Sequence, residues 1–230
     1  MAVKFISADS DYLEVSSAVV TTGPFTISAW FNDDDAAGSA AVVSLADSAD
    51  DKYHQVFCTF AEKARIVSDN DTTTANAQST SVYVIDAWSQ VVGILVGDAD
   101  RRIYLDGEAE VKNTTSVTGI TPTRTSIGRK GSSSPGNYFS GSIAEVGIWN
   151  VALTTDEISM LADGFAPSMI RFDSLVAYWP LIDDYRDEVG IFHLTAGGTP
   201  EFSQHPPGIV YPPERERLSS KQKQRRARVS

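Results

Sequence analysis

Cysteine is nearly absent: the 230 residues contain one, Cys58. A lone thiol forms no internal disulfide, which excludes a disulfide-stapled secreted scaffold. A chain of this length can hide roughly 70% of its unfolded surface on folding, so neither staple nor structural metal is needed. No apolar run approaches the roughly 18 residues of a membrane helix. The opening MAVKFISADSDYLEV puts Asp9, Asp11 and Glu14 where a secretory signal needs an apolar stretch, so export by that route is not expected. Histidine is scarce as well. The three, His54, His193 and His205, are far apart and show no zinc-ligand spacing. No serine sits in a G-x-S-x-G elbow. Cys58 lies within YHQVFCTF and reads as a buried, inert thiol, and His54 in the same run reads as a strand residue.

Charge, by contrast, is plentiful and uneven. Thirty acidic residues face 19 basic ones, for a net charge of −11. The last seventeen residues hold Arg215, Arg217, Lys221, Lys223, Arg225, Arg226 and Arg228 against Glu214 and Glu216, a local balance of +5. The first 213 residues therefore carry −16. Such a body repels nucleic acid and anionic membrane, so neither is an expected partner and any polyanion must meet the tail.

Along the body, short runs rich in Val, Ile, Phe, Tyr and Thr recur between Gly, Asp, Asn and Ser, the pattern of an antiparallel sandwich. Strands are expected at Val3–Ile6, Phe25–Phe31, Ala41–Leu45, His54–Phe60, Ala64–Val67, Ser81–Ile85, Trp88–Val96, Arg102–Leu105, Glu108–Lys112, Thr123–Gly128, Ser142–Trp149 and Val176–Leu181. Phe25, Ile27, Ala29 and Phe31 alternate with Thr26 and Ser28, so one face is buried. Trp30 falls on the other face, either packed under a loop or offering a platform on which a sugar ring stacks.

Asp106-Gly107 is a strong hairpin signal, because both residues tolerate the positive φ of a type I′ turn. A two-residue turn sets Leu105 opposite Glu108, so either Tyr104 and Ala109 face inward or the loop is longer. In LTTDEISMLADG, Thr154 and Glu157 form a capping box, Leu153 and Ile158 a staple, and Gly164 a left-handed stop. Ile158 and Leu161 of this short helix are expected to seal one edge of the sandwich. From Gly197 onward Pro200, Pro206, Pro207, Pro212 and Pro213 interrupt regular structure. The expected organisation is a sandwich over residues 1–198, a Pro-rich linker over 199–213 and a basic arm over 214–230.

The stretch FSGSIAEVGIWNVALTTDEISMLADG, Phe139 to Gly164, together with the upstream TSIGRKG, resembles the LamG-like, concanavalin A-like jelly-roll domains that include the pentraxins. LVAYWPLIDDYRDEVGIFHLTAGG, Leu175 to Gly198, resembles the tryptophan-containing strand that usually opens such domains, here standing at the end beside the N-terminal strand. FTISAWF and IYLDG extend the likeness over most of residues 1–200. It implies an all-β, two-sheet antiparallel jelly-roll sandwich of six or seven strands per sheet, with one short helix and the basic C-terminal arm.

The fold serves lectins, glucanases, adhesion modules and virion parts alike, so residues must decide function. Glucanases of this fold carry alternating acids on one strand. Asp106, Glu108 and Glu110 have that spacing, but read as a turn and strand-edge charges, and no catalytic residue is expected. Calcium is the cofactor the resemblance suggests. In pentraxins much of the calcium site precedes the strand equivalent to FSGSIAEV, where this chain has Arg129 and Lys130 and no acid between Thr123 and Ser140. The remaining candidate is the loop at Asp69, Asn70 and Asp71. Asn70 and Asn113 match the glycosylation acceptor pattern.

Small LamG-like proteins with an added tail resemble accessory virion proteins of tailed bacteriophages, made in the host cytoplasm. The first expectation is thus a non-enzymatic capsid-decoration or tail-associated protein, docked on capsid or tail subunits through Arg215 to Arg228, with self-association possible. The alternative is a lectin-like module binding surface glycans through Trp30 or Tyr138.

Overall fold

The computed structural model describes residues 1–35, 38–59 and 61–213. Among these, the strands in chain order are β1 (Ala2–Phe5), β2 (Tyr12–Val15), β3 (Phe25–Asp33), β4 (Ala40–Ala46), β5 (Tyr53–Cys58), β6 (Ala64–Asp69), β7 (Thr74–Gln78), β8 (Trp88–Gly97), β9 (Asp100–Leu105), β10 (Val111–Asn113), β11 (Arg124–Ile127), β12 (Gly141–Trp149), β13 (Leu175–Trp179), β14 (Thr195–Gly197) and β15 (Glu201–Ser203). One helix, α1 (Thr155–Ala162), follows β12. The first sheet runs β10-β9-β8-β3-β12-β1-β15, with β13 also on β12, and the second runs β14-β2-β11-β4-β5-β6-β7. The fold is the expected two-layer all-β sandwich, with eight strands in one sheet where six or seven were expected.

The eighth strand arises at β12. Gly141 to Ile143 pair with β1, whereas Val146 to Trp149 pair with β13, both on the side away from β3. The late tryptophan strand therefore closes the same sheet as the N-terminal strand, lying in line with it. Between the two sheets Phe5, Phe25, Phe31, Leu45, Ile66 and Trp179 pack fully buried. Residues 199–213, expected as a linker, supply β15, antiparallel to β1, and place Ile209 and Tyr211 against the first sheet's outer face.

A second apolar cluster covers that outer face. Val92, Ile94 and Tyr104 project outward from β8 and β9 and meet Trp149, Ile158, Leu161, Ile170 and Leu175. The helix thus lies over the sheet's face, not along an edge. Its capping box is as expected: the Thr154 N–H donates to Glu157 Oε2 at 2.7 Å and the Glu157 N–H to Thr154 Oγ1 at 3.4 Å. Burying Ile158 and Leu161 contributes about 2 kcal/mol apiece.

The β9–β10 hairpin resolves the register question. Asp106 and Gly107 have φ of 50° and 71°, and the Glu108 N–H donates to Leu105 O at 2.9 Å, a two-residue turn. Val111 nevertheless pairs with Ile103, one residue beyond the register that turn sets, so the outgoing strand contains an extra residue. Ile103 and Leu105 face the core and Tyr104 faces the outer cluster.

One expected strand is absent. Residues 81–85 form an irregular segment that inserts Tyr83 between the sheets, where its hydroxyl donates to Asp33 Oδ2 at 2.6 Å and its ring meets Phe31 edge-on. Val82 and Val84 remain exposed, so their alternation marks no buried face. Cys58 is buried beside this pair, and burial pushes its thiol pKa well up.

Candidate functional site

The outer face of the second sheet is built from strands whose inward residues feed the core and whose outward residues include a polar row. In β11, Thr125 and Ile127 turn inward while Arg124 and Ser126 turn outward. In β4 and β5, Ser44 and Gln55 turn outward, beside Tyr53 and Phe57. Register sets Ser44 directly opposite both Gln55 and Ser126, making a transverse polar row. The chain between β11 and β12 folds back over this row. Gly131 lies so close to Ser126 that a side chain there would collide with Ser126 Oγ, and Arg124 Cδ is 3.3 Å from the same position. Only glycine permits that approach.

Ion pairs hold the covering loop. Arg129 donates to Glu14 Oε2 at 2.5 Å and lies 3.3 Å above the centre of the Tyr12 ring. Lys130 Nζ reaches both Asp51 carboxylate oxygens, at 2.8 and 3.0 Å, and sits 5.3 Å from the Tyr53 ring centre. Ser132 also donates to Asp51. Burial pushes the Asp51 pKa up, but the hydrogen bonds from Lys130 and Ser132 and the Lys130 charge outweigh it and hold the carboxyl below its usual value.

Underneath, hydrogen-bonding capacity is left unused. Ser44 Oγ, Gln55 Nε2, Ser126 Oγ, Arg124 Nε and Arg129 Nε are all buried without a hydrogen bond, Arg124 Nε lying 3.6 Å from Glu14 Oε2, and among the described residues the one other such atom is Gln90 Oε1. Ser44, Gln55 and Ser126 are at most 1% exposed. Leaving a buried polar group unsatisfied costs about 1–3 kcal/mol, so Ser44, Gln55, Ser126 and Arg129 together on one face are a concentration that folding alone disfavours.

A different polar cluster lies on the first sheet. Glu145 occupies the seam where β12 exchanges β1 for β13, with φ of 53°. Its buried carboxylate accepts from Tyr178 Oη at 2.5 Å and Tyr211 Oη at 2.6 Å, and His205 Nε2 lies 3.0 Å away. This group fastens the C-terminal segment to the sheet. Sequence reasoning missed it, because its members are separated by up to 66 residues and form no motif.

The profile of the concanavalin A-like lectin/glucanases superfamily, of laminin G type, matches residues 7–159. The chain belongs to this superfamily. Solved structures agree on the fold. A Bacteroides ovatus protein described as a candidate carbohydrate binder shares 19% identity at a TM-score of 0.67, covering 91% of this chain and 61% of its own. A heptameric SAP-like pentraxin of Limulus polyphemus shares 12% identity at a TM-score of 0.54, over 70% of this chain and 81% of the pentraxin. The sialidase CBM40 of Ruminococcus gnavus, solved with α2,3 sialyllactose, shares 13% identity at a TM-score of 0.51, over 70% and 97% of the two chains. The search of curated proteins gives no match.

Against this superfamily background, the calcium suggested by the pentraxin likeness does not fit. Lys130 and Arg129 place the chain's own cations on Asp51 and Glu14. The alternative loop is engaged internally: Asp69 accepts the Asp71 N–H at 2.8 Å and the Thr74 hydroxyl, and Asn70 Oδ1 accepts the Thr72 and Thr73 N–H groups. Among the described residues no group of three or more His, Cys, Asp or Glu is arranged to hold a metal.

The glucanase spacing also disperses. Asp106 accepts the Gln90 N–H at 2.6 Å, Glu108 accepts from Ser81, and Glu110 accepts from Tyr104 at 2.6 Å and Arg102 at 3.2 Å. Trp30 is half-buried on the first sheet, opposite Gln90 and Ala144, while Tyr138 is half-buried in the β11–β12 connection. Arg215, Arg217, Lys221, Lys223, Arg225, Arg226 and Arg228 lie outside the described residues.

Proposed function

We propose that this chain is a non-catalytic saccharide-binding module whose site is the outer face of the second sheet beneath the β11–β12 loop. The observation that carries the reading is the row of buried, unpartnered groups at Ser44, Gln55 and Ser126, flanked by Arg124 and Arg129. A saccharide presents a dense set of hydroxyl oxygens, and a row of amide and hydroxyl groups on a rigid sheet is suited to receive them. Tyr12 and Tyr53 flank the row, and their rings face the two loop cations. Matched structures that bind carbohydrate, the Ruminococcus gnavus module among them, support the same reading.

A glycan array probed with the full chain tests the proposal. Retention of a defined subset of saccharides is expected, reduced at least tenfold by Gln55→Ala and less than twofold by Trp30→Ala. An array that retains nothing contradicts the reading, and loss with Trp30→Ala alone moves the site to the first sheet.

A further inference from the structure

We infer that the saccharide bound at this face is an acidic one, its carboxylate or sulfate group received by Arg124 and Arg129 once the covering loop lifts. The inference rests on the saccharide-binding reading and adds the ligand's charge and its route of entry.

The unused capacity is donor capacity. Gln55 Nε2, Arg124 Nε and Arg129 Nε can only donate, and the two serine hydroxyls can donate by rotating. A neutral sugar hydroxyl brings a proton of its own to every contact, whereas a carboxylate or sulfate brings acceptors alone. The donor set therefore matches an acid better than an alcohol, and two of the donors are guanidinium groups that make charge-assisted bonds. Charge points the same way. Arg124, Arg129 and Lys130 meet only Glu14 and Asp51 here, an excess of one cation, on a 213-residue body whose balance is −16. An acidic ligand is repelled elsewhere on this surface and attracted at this point.

Entry requires the loop to move, because Ser126 is buried and Gly131 of the loop packs directly against it and against Arg124. Its fastening is concentrated at the β4–β5 connection: Lys130 and Ser132 both bind Asp51, and the Ser133 N–H donates to Asp50 O at 3.2 Å. A ligand acid competes with Asp51 for Lys130, so the group that is recognised also loosens the cover.

Calorimetric titration of the full chain with trigalacturonate, its methyl ester and a keratan sulfate tetrasaccharide, which carries sulfate but no uronic acid, tests the inference. At least tenfold tighter binding of one acidic probe than of the ester is expected, with the two acidic arms separating carboxylate from sulfate recognition. Arg124→Gln should weaken that binding at least tenfold. Ser126→Ala should weaken it severalfold while leaving the melting temperature unchanged or raised, which keeps the test decisive if the arginine variant folds poorly. Equal binding of acid and ester overturns the charge assignment and leaves the saccharide reading intact. Array retention of neutral sugars with no response to any of these probes does the same. Acidic binding that survives both substitutions overturns the site, and the absence of binding to any saccharide overturns both readings.

Discussion

Arg101 carries its guanidinium fully buried between the sheets, and every partner it finds is neutral. It donates to Ser68 Oγ at 3.2 Å, Asn113 Oδ1 at 2.9 Å, and the Thr115 and Asp98 carbonyls, each at 2.7 Å. His54 Nδ1 shares Ser68 Oγ at 2.9 Å, and burial followed by the Arg101 charge lowers the His54 pKa to about 4. The unfolded chain takes up that proton near pH 6.5, so stability is complete above this value and declines as pH falls from about 6.5 to 4. The loss is on the order of 3 kcal/mol over that window. Urea unfolding at stepped pH should show the decline in the native protein and its near-absence in His54→Gln; a flat native profile contradicts the assignment. At this scale the sequence was informative where partners are neighbours, as for Thr154 and Glu157. It was silent for Ser44, Gln55 and Ser126, each an ordinary outward polar residue until strand register aligns them.

Elements read well wherever alternation is strong and bulky, as in β3, β8 and β12. The strands overlooked are short or built from weak strand formers: Thr74–Gln78 turns only Ala75 and Ala77 inward. The segment at residues 81–85 misleads in the opposite sense, because Val82 and Val84 mimic a strand while Tyr83 is the buried anchor, with Ile85 packed beside the core. The β11–β12 loop, whose acid-poor composition was legible as a departure from a pentraxin calcium segment, gains its meaning only from folding onto Asp51. Since the Asp51 pKa is lowered, the fastening is complete above the ordinary carboxylate value of 3.8 and weakens as pH falls through the lower folded value. Asp51→Asn removes the charge at neutral pH. Hydrogen exchange in that variant should speed at residues 129–136 while β4 and β11 keep their protection, and unchanged exchange in the loop contradicts its attachment by Asp51.

Across the whole molecule, the acidic sandwich and the basic arm divide the chain's charge. The core, the outer cluster and the Glu145 fastening are all assembled from the described residues up to 213. Deleting 214–230 should therefore leave the melting temperature within a few degrees and saccharide retention unchanged. If the arm also docks the protein on a particle, as the tail's charge suggests, the same deletion abolishes that attachment, whereas retained attachment removes the docking role. The fold class was legible as a whole because strand periodicity and the late Trp-loop-helix segment are local patterns. The site was not, because it exists only where β4, β5 and β11 meet beneath a returning loop. The most direct measurement is a crystal structure of the full chain with the acidic saccharide that binds most tightly. Its density is expected on the second sheet, within hydrogen-bonding distance of Gln55 and Ser126 and with the β11–β12 loop displaced; density over Trp30, with that loop still closed on Ser126, contradicts the account.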